Sequence, residues 1–261
     1  QIMATFLFDE IIFGPVRSRR LGISLGINLL PTNTKICSFD CIYCECGRNP
    51  GKGAPKGKLP EREEVALKLE EMLTHMKREE RLPDVITFAG NGEPTLHPRF
   101  AEIIGDTLVL RDRYAPKARI AVLSNATMLH KKAVFDALLR VDDNIQKLDS
   151  AFEKTVRLLD CPTGHFSLGK VVSQLASFKG KVIIQTMFVR GSYKGEILDN
   201  TTPEEVEAWL ELLKVIGPSM VMIYTIARDT PVETLRKAGV AKLTEIARRA
   251  EAAGFKVQVS G

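Results

Sequence analysis

Apolar runs with the two-residue alternation of strands recur along the chain, separated by stretches whose apolar positions return every three or four residues, as on helices. Strands are predicted at 22–30, 85–89, 119–123, 144–148, 181–189, 220–226 and 255–259. Pro31 stops the first, Gly90 the second, and the run at 181–189 is rich in β-branched residues. Helices are predicted at 61–81, 99–110, 129–140, 166–178, 203–215 and 232–253. Pro60 suits the first turn of the first helix, with Leu67, Met72 and Leu73 for its buried face. Thr202 before Pro203 is a capping signal for the fifth.

A strand followed by a helix, repeated about six times, implies a parallel sheet with right-handed crossovers. A doubly wound sheet and an incomplete barrel both satisfy that pattern. Either places functional groups at the carboxyl ends of the strands. The 261 residues, 44% hydrophobic, suit one large core, expected over 22–261 behind an extension over 1–21. Met3-Ala4-Thr5 reads like a native start preceded by two appended residues. No signal peptide opens the chain, and no apolar run approaches the roughly 18 residues a membrane helix needs. A cytoplasmic protein without membrane contact is expected.

Residues 47–58 are rich in Gly, Pro and Lys, which rules out a helix or a central strand. The segment is either a solvated loop or a lid whose cations engage an anionic substrate. The net charge of +5 is compatible with RNA or a phosphate-bearing substrate and equally with neither. Arg17, Arg19 and Arg20 form a second basic group, an anion-binding element or a plain surface loop.

Chemistry enters with the cysteines. Cys37, Cys41 and Cys44 stand in a C-x3-C-x2-C run, which argues for a reducing compartment and a metal centre. Thiolates hold iron–sulfur clusters. Three of them on a four-iron cubane leave one iron open to a substrate or cofactor. A zinc site needs four ligands; Cys46 is the nearest further thiol, while His97, His130 and His165 are distant. A closed electron-transfer cluster is the other alternative, although Cys46-Gly47 does not continue the ferredoxin pattern.

With the aromatic Tyr43 before its last cysteine, this run resembles the radical S-adenosylmethionine (SAM) enzymes. The resemblance implies a partial (β/α)6 TIM-like barrel, a [4Fe–4S] cluster on Cys37, Cys41 and Cys44, and SAM as cofactor. It also implies reductive cleavage of SAM to a 5′-deoxyadenosyl radical. An oxidoreductase of this kind takes its electron from a donor such as flavodoxin or ferredoxin.

The same resemblance assigns cofactor contacts at successive strand ends. Tyr43 would pack by the adenine, or simply in the core. Gly90, Asn91, Gly92 and Glu93 stand where the family has a Gly-Gly-Glu-like motif for the methionine amino group, with Asn91 replacing a glycine. Ser124 and Asn125 would meet ribose or carboxylate, or serve as turn residues. Asp149 would meet the ribose hydroxyls. Lys147 shares its face and either pairs with it or, with a lowered pKa, attacks a carbonyl substrate. Gln185, Met187 and Arg228 stand at or beyond later strand ends without an assigned role.

The segment from Gly14 to Asn28, the cysteine run, residues 90–98 and Lys147-Leu148-Asp149 are similar to one group in that superfamily. It contains the wyosine tRNA base synthase and many uncharacterised bacterial relatives. That synthase carries a second cluster on further cysteines; here only Cys46 and Cys161 are spare, so wyosine formation is not carried over. The partner remains open between tRNA, another anionic molecule and an unrelated substrate. Cys161 is read as a buried or free thiol.

Overall fold

The computed structural model describes residues 6–260 except 19, 20, 52, 55, 56 and 229. Eleven strands are assigned: β1 Ile12–Ser18, β2 Gly22–Ile27, β3 Val85–Phe88, β4 Arg119–Ser124, β5 Asp143–Lys147, β6 Ile183–Met187, β7 Val189–Tyr193, β8 Glu196–Asp199, β9 Met220–Tyr224, β10 Arg236–Lys237 and β11 Val257–Ser260. The α-helices are α1 Arg62–Arg78, α2 Phe100–Tyr114, α3 Lys132–Leu138, α4 Glu153–Leu159, α5 Leu168–Ala176, α6 Pro203–Ile216 and α7 Val240–Ala252.

Strands β2, β3, β4, β5, β6, β9 and β11 pair parallel in that order, with β1 antiparallel on the outer edge of β2. This is the expected α/β architecture, a parallel sheet curled into a partial barrel. Its two faces differ. The outer face, with Leu25, Ile27, Ile86, Phe88, Val122 and Ile184, packs against the helices in the main core. The concave face carries a helix-free plug of Val85, Ala121, Ile145, Ile183 and Met222, one residue from each of five strands. Strand register continues this face upward through Lys147, Gln185 and Tyr224. Apolar at its foot and polar at its mouth, the concave face makes the carboxyl end of the sheet the place for chemistry.

Several expectations are corrected. Within the expected extension over 1–21, residues 12–18 join the sheet as a strand, Arg17 pairing with Ile23; Arg19 and Arg20 lie outside the described residues. Pro60 precedes the cap of α1 instead of entering its first turn, and Leu67 faces solvent while Val65, Leu69, Leu73 and Met76 are buried. The last helix begins at Val240, after Gly239, because β10 pairs with β7 in a small antiparallel sheet with β8. Thr202 caps α6 as expected, accepting from the Glu205 amide at 3.3 Å. No helix among the described residues is long and apolar enough to cross a membrane.

Candidate active site

The cysteine loop leaves the mouth of β2 and is braced from three sides. Ile36 forms a parallel bridge with Gly92, its amide donating to the Asn91 carbonyl at 3.0 Å. The contact needs a glycine: a Cβ on Gly92, at φ +134°, would lie 1.9 Å from the Ile36 oxygen. On a second side, the Asp40 and Ile42 amides donate to the carbonyls of Asp160 and Leu159, each at 2.9 Å. These carbonyls end α4, where Cys161 takes the left-handed conformation at φ +43°. On the third side, Asn49 accepts from the Cys37 amide at 3.1 Å and donates to the carbonyls of Cys37 and Phe39. Arg48 adds bonds to the Asp40 carbonyl and to the Tyr193 hydroxyl, tying the loop to β7.

All five cysteines are free thiols, with Cys41 buried and Cys37 and Cys44 partly so. Burial, then the nearby Glu93 charge, pushes the Cys37 thiol up to about 12. Cys44 goes the other way, to about 5, because Cys46 donates a hydrogen bond to its sulfur, overcoming burial with help from the Lys35 charge. Among the described residues no group of three or more cysteine, histidine or carboxylate side chains is arranged to hold a metal ion. The donor chemistry of the loop, three thiols on one braced segment, fits an iron–sulfur cluster.

Facing the loop is a buried polar network. The Tyr43 hydroxyl donates to Asp149 and lies 3.2 Å from Asp160 Oδ1. Lys147 donates to Tyr43 and, at 3.1 Å, to Asp149. The Cys41 thiol donates to Asp160 at 3.3 Å. Asp149 is fixed from behind by the Met187 amide at 2.9 Å, and Asn200 donates to its carbonyl at 2.8 Å. Burial raises the Asp160 carboxyl well above its ordinary value, and the adjacent Asp149 charge adds to the rise. Burial works against the Lys147 ammonium, yet Asp149 and the other anionic partners hold its pKa well above normal. Lys147 is thus paired with Asp149 in this structure.

The fold brings the cysteines, Tyr43, Lys147 and Asp149 to one place, with Asn125 donating to Ser38 at 2.9 Å and lying 3.6 Å from the Cys37 sulfur. The side chains of the 90–93 turn are otherwise occupied. Asn91 bonds the backbone of Phe8 and Pro31. Glu93 accepts from Thr95 through one oxygen and from the Asn125 amide, at 2.7 Å, through the other. Ser124 closes its own turn by accepting from the Ala126 amide at 3.2 Å. Gln185 stands on the concave face beside Lys147, whereas Arg228 is spent on an exposed pair with Glu45 at 2.8 Å. Lys58 lines a groove beside Pro60 and α1, and Lys52 and Lys56 lie outside the described residues. Sequence reasoning missed Asp160, whose proximity to Tyr43 and Cys41 spans more than a hundred residues. It also missed Lys35, although alternation places Lys35 on the side of Cys37.

A curled parallel sheet with a three-cysteine loop at its carboxyl mouth defines the radical SAM class of fold. Residues 33–158 match the Radical SAM superfamily. A UPF0026 protein of Methanocaldococcus jannaschii is 32% identical over 240 residues, covering 90% of this chain and 70% of its own length. In fold, the chain matches a radical SAM methyltransferase from Sphaerobacter thermophilus (TM-score 0.66, 14% identity) over 91% of its own length and 65% of that structure. It also matches Streptococcus suis SuiB bound to S-adenosylmethionine (TM-score 0.63, 13% identity), over 90% of its own length and 50% of that chain. The chain belongs to the UPF0026 family within the radical SAM superfamily of enzymes.

Proposed function

We propose that this protein reductively cleaves S-adenosylmethionine at a [4Fe–4S] cluster held by Cys37, Cys41 and Cys44, and aims the 5′-deoxyadenosyl radical at a substrate C–H bond. The observation that carries this reading is the meeting of the braced cysteine loop with the Tyr43–Lys147–Asp149–Asp160 network. The cofactors supply the difficult chemistry, one electron and a cleavable sulfonium. The chain's residues bind, orient and exclude water.

In this reading Asp149, immobilised by Met187 and Asn200, presents a fixed carboxylate to the sugar hydroxyls. Tyr43 carries the adenine side of the pocket, and Lys147 balances the anionic charge around it. Gly90, Asn91, Gly92 and Glu93 act mainly through the backbone: they brace the cysteine loop, and Glu93 sets Asn125 against it. Ser124 shapes the same turn. SuiB, of like fold, is bound to S-adenosylmethionine, which supports a SAM site in a fold of this kind. A one-electron donor of the flavodoxin or ferredoxin class provides the reductant.

The test is anaerobic reconstitution with iron and sulfide, then reduction with SAM and assay of 5′-deoxyadenosine. Product is expected from the wild type and none from Cys41→Ala. A fully loaded cluster that neither binds nor cleaves SAM would reduce the protein to an iron–sulfur module.

A further inference from the structure

Lys35 is a charged side chain in an unexpected place. It is 3% exposed and stands two residues before the first cysteine. Its Nζ donates to the Gly47 carbonyl at 2.7 Å and lies 3.7 Å from Asp40 Oδ1. Gly47 in turn donates to the Cys44 carbonyl at 2.9 Å, so the ammonium sits inside the loop that carries the three thiols. Burial opposes its charge, and Cys44, then Cys37, then Cys41 favour it.

A buried ammonium with three donors loses several kcal/mol of hydration unless partners repay it. One carbonyl and one carboxylate beyond close hydrogen-bond range are a thin set. The same loop carries three sulfurs that can accept from it as thiolates. A residue serving only to tie the loop would not need a charge; a neutral donor would hold the Gly47 carbonyl without that desolvation cost.

We propose that Lys35 is a fixed buried cation that raises the reduction potential of the iron–sulfur cluster on Cys37, Cys41 and Cys44. The inference rests on the cluster reading above. Reduction adds one electron from an external one-electron donor to a centre already ringed by thiolates, with no bond formed or broken. A nearby cation favours the more negative, reduced state. Cluster potentials follow net charge, hydrogen bonds to sulfur and solvent exposure, and a buried charge acts strongly because little water screens it. Lys35 is a tuning residue that does not touch substrate.

The test is a dye-mediated potentiometric titration of the reconstituted protein, read by the electron paramagnetic resonance of the reduced cluster, without SAM or substrate. Lys35→Met is expected to lower the reduced-to-oxidised ratio at a fixed potential at least tenfold, which for one electron is a shift of 59 mV. Lys35→Arg is expected to stay close to the wild type. Lys35→Gln keeps a donor for Gly47 without the charge and is expected to shift with Lys35→Met. An unmoved midpoint in either loaded neutral variant would overturn the proposal, as would failure of both to hold a cluster that Lys35→Arg retains. A wild type that assembles no cluster would instead sink the functional reading.

Discussion

Two ion pairs, one through Asp143 and one through Lys147, stand at opposite ends of β5, and they are built differently. At the foot, Arg119 donates to Asp143, with the arginine side chain 52% exposed and the carboxylate 10%. At the mouth, Lys147 and Asp149 are 3.1 Å apart, 17% and 0% exposed. The foot pair is one cation and one anion, with the cation half exposed to solvent. The mouth pair adds the Tyr43 phenol, the second carboxylate of Asp160 and, through it, the Cys41 thiol. Two buried carboxylates against one ammonium are an arrangement that stability alone does not favour, since burying charge costs more than a simple pair returns. The comparison separates scaffold from site: a self-contained pair closes the foot, and an overcrowded network waits at the mouth.

The harshest way to break the mouth is through its brace. Gly92→Ala would drive a Cβ to 1.9 Å from the Ile36 oxygen at a φ of +134°. We expect a loss of more than about 3 kcal/mol, combining backbone strain with displacement of the cysteine loop. Denaturant melts, with iron content after reconstitution, check it; a stable variant that loads its full complement of iron would refute the brace. Asp149→Asn comes next. It preserves shape and an acceptor for the Met187 amide but removes the carboxylate, and SAM affinity should fall at least tenfold, about 1.4 kcal/mol.

The foot should respond weakly and in the opposite sense. Burial raises the Asp143 carboxyl against the pull of Arg119. A carboxyl raised on folding adds stability that is full below its unfolded pKa and is lost as pH rises through its folded value. Asp143→Asn should therefore gain on the wild type as pH climbs from about 4 to 7, with the pair worth no more than about 1 kcal/mol. Urea midpoints across that range would show it, and a variant losing ground with rising pH would contradict it. Thr202→Ala, which removes the cap of α6, should cost about 1 kcal/mol and leave SAM affinity alone. Chemical denaturation and SAM titration of the same variant check both halves.

The frame is more legible in sequence than the mouth. Most parallel strands are short runs of β-branched and apolar residues between turn formers, β5 with Ile145 alone being the weak one, and all seven overlap a predicted run. The sequence reads α7 as starting near Val232 because Val232, Leu235 and Ala238 mimic a helical period; Leu235 and Ala238 are buried beside β10, and Gly239 marks the true start. Strand β1 is hard to read because its antiparallel pairing with β2 carries a register shift between Phe13 and Val16. The cysteines, Tyr43, Lys147 and Asp149 were visible from spacing and strand ends. Asp160 was not, since it caps α4 and meets Tyr43 and Cys41 across more than a hundred residues of chain. Glu93 and Asn91 were seen, but their commitments to Asn125 and Phe8 are long-range contacts that no local pattern encodes.

The most direct test of the account is equilibrium binding of SAM to the anaerobically reconstituted protein, comparing Asp149→Asn with Asp143→Asn at equal cluster loading. The account predicts tight binding by the wild type and the foot variant and at least a tenfold loss in the mouth variant. Equal affinity in all three, or equal loss in both variants, would contradict the assignment of the mouth network to the cofactor.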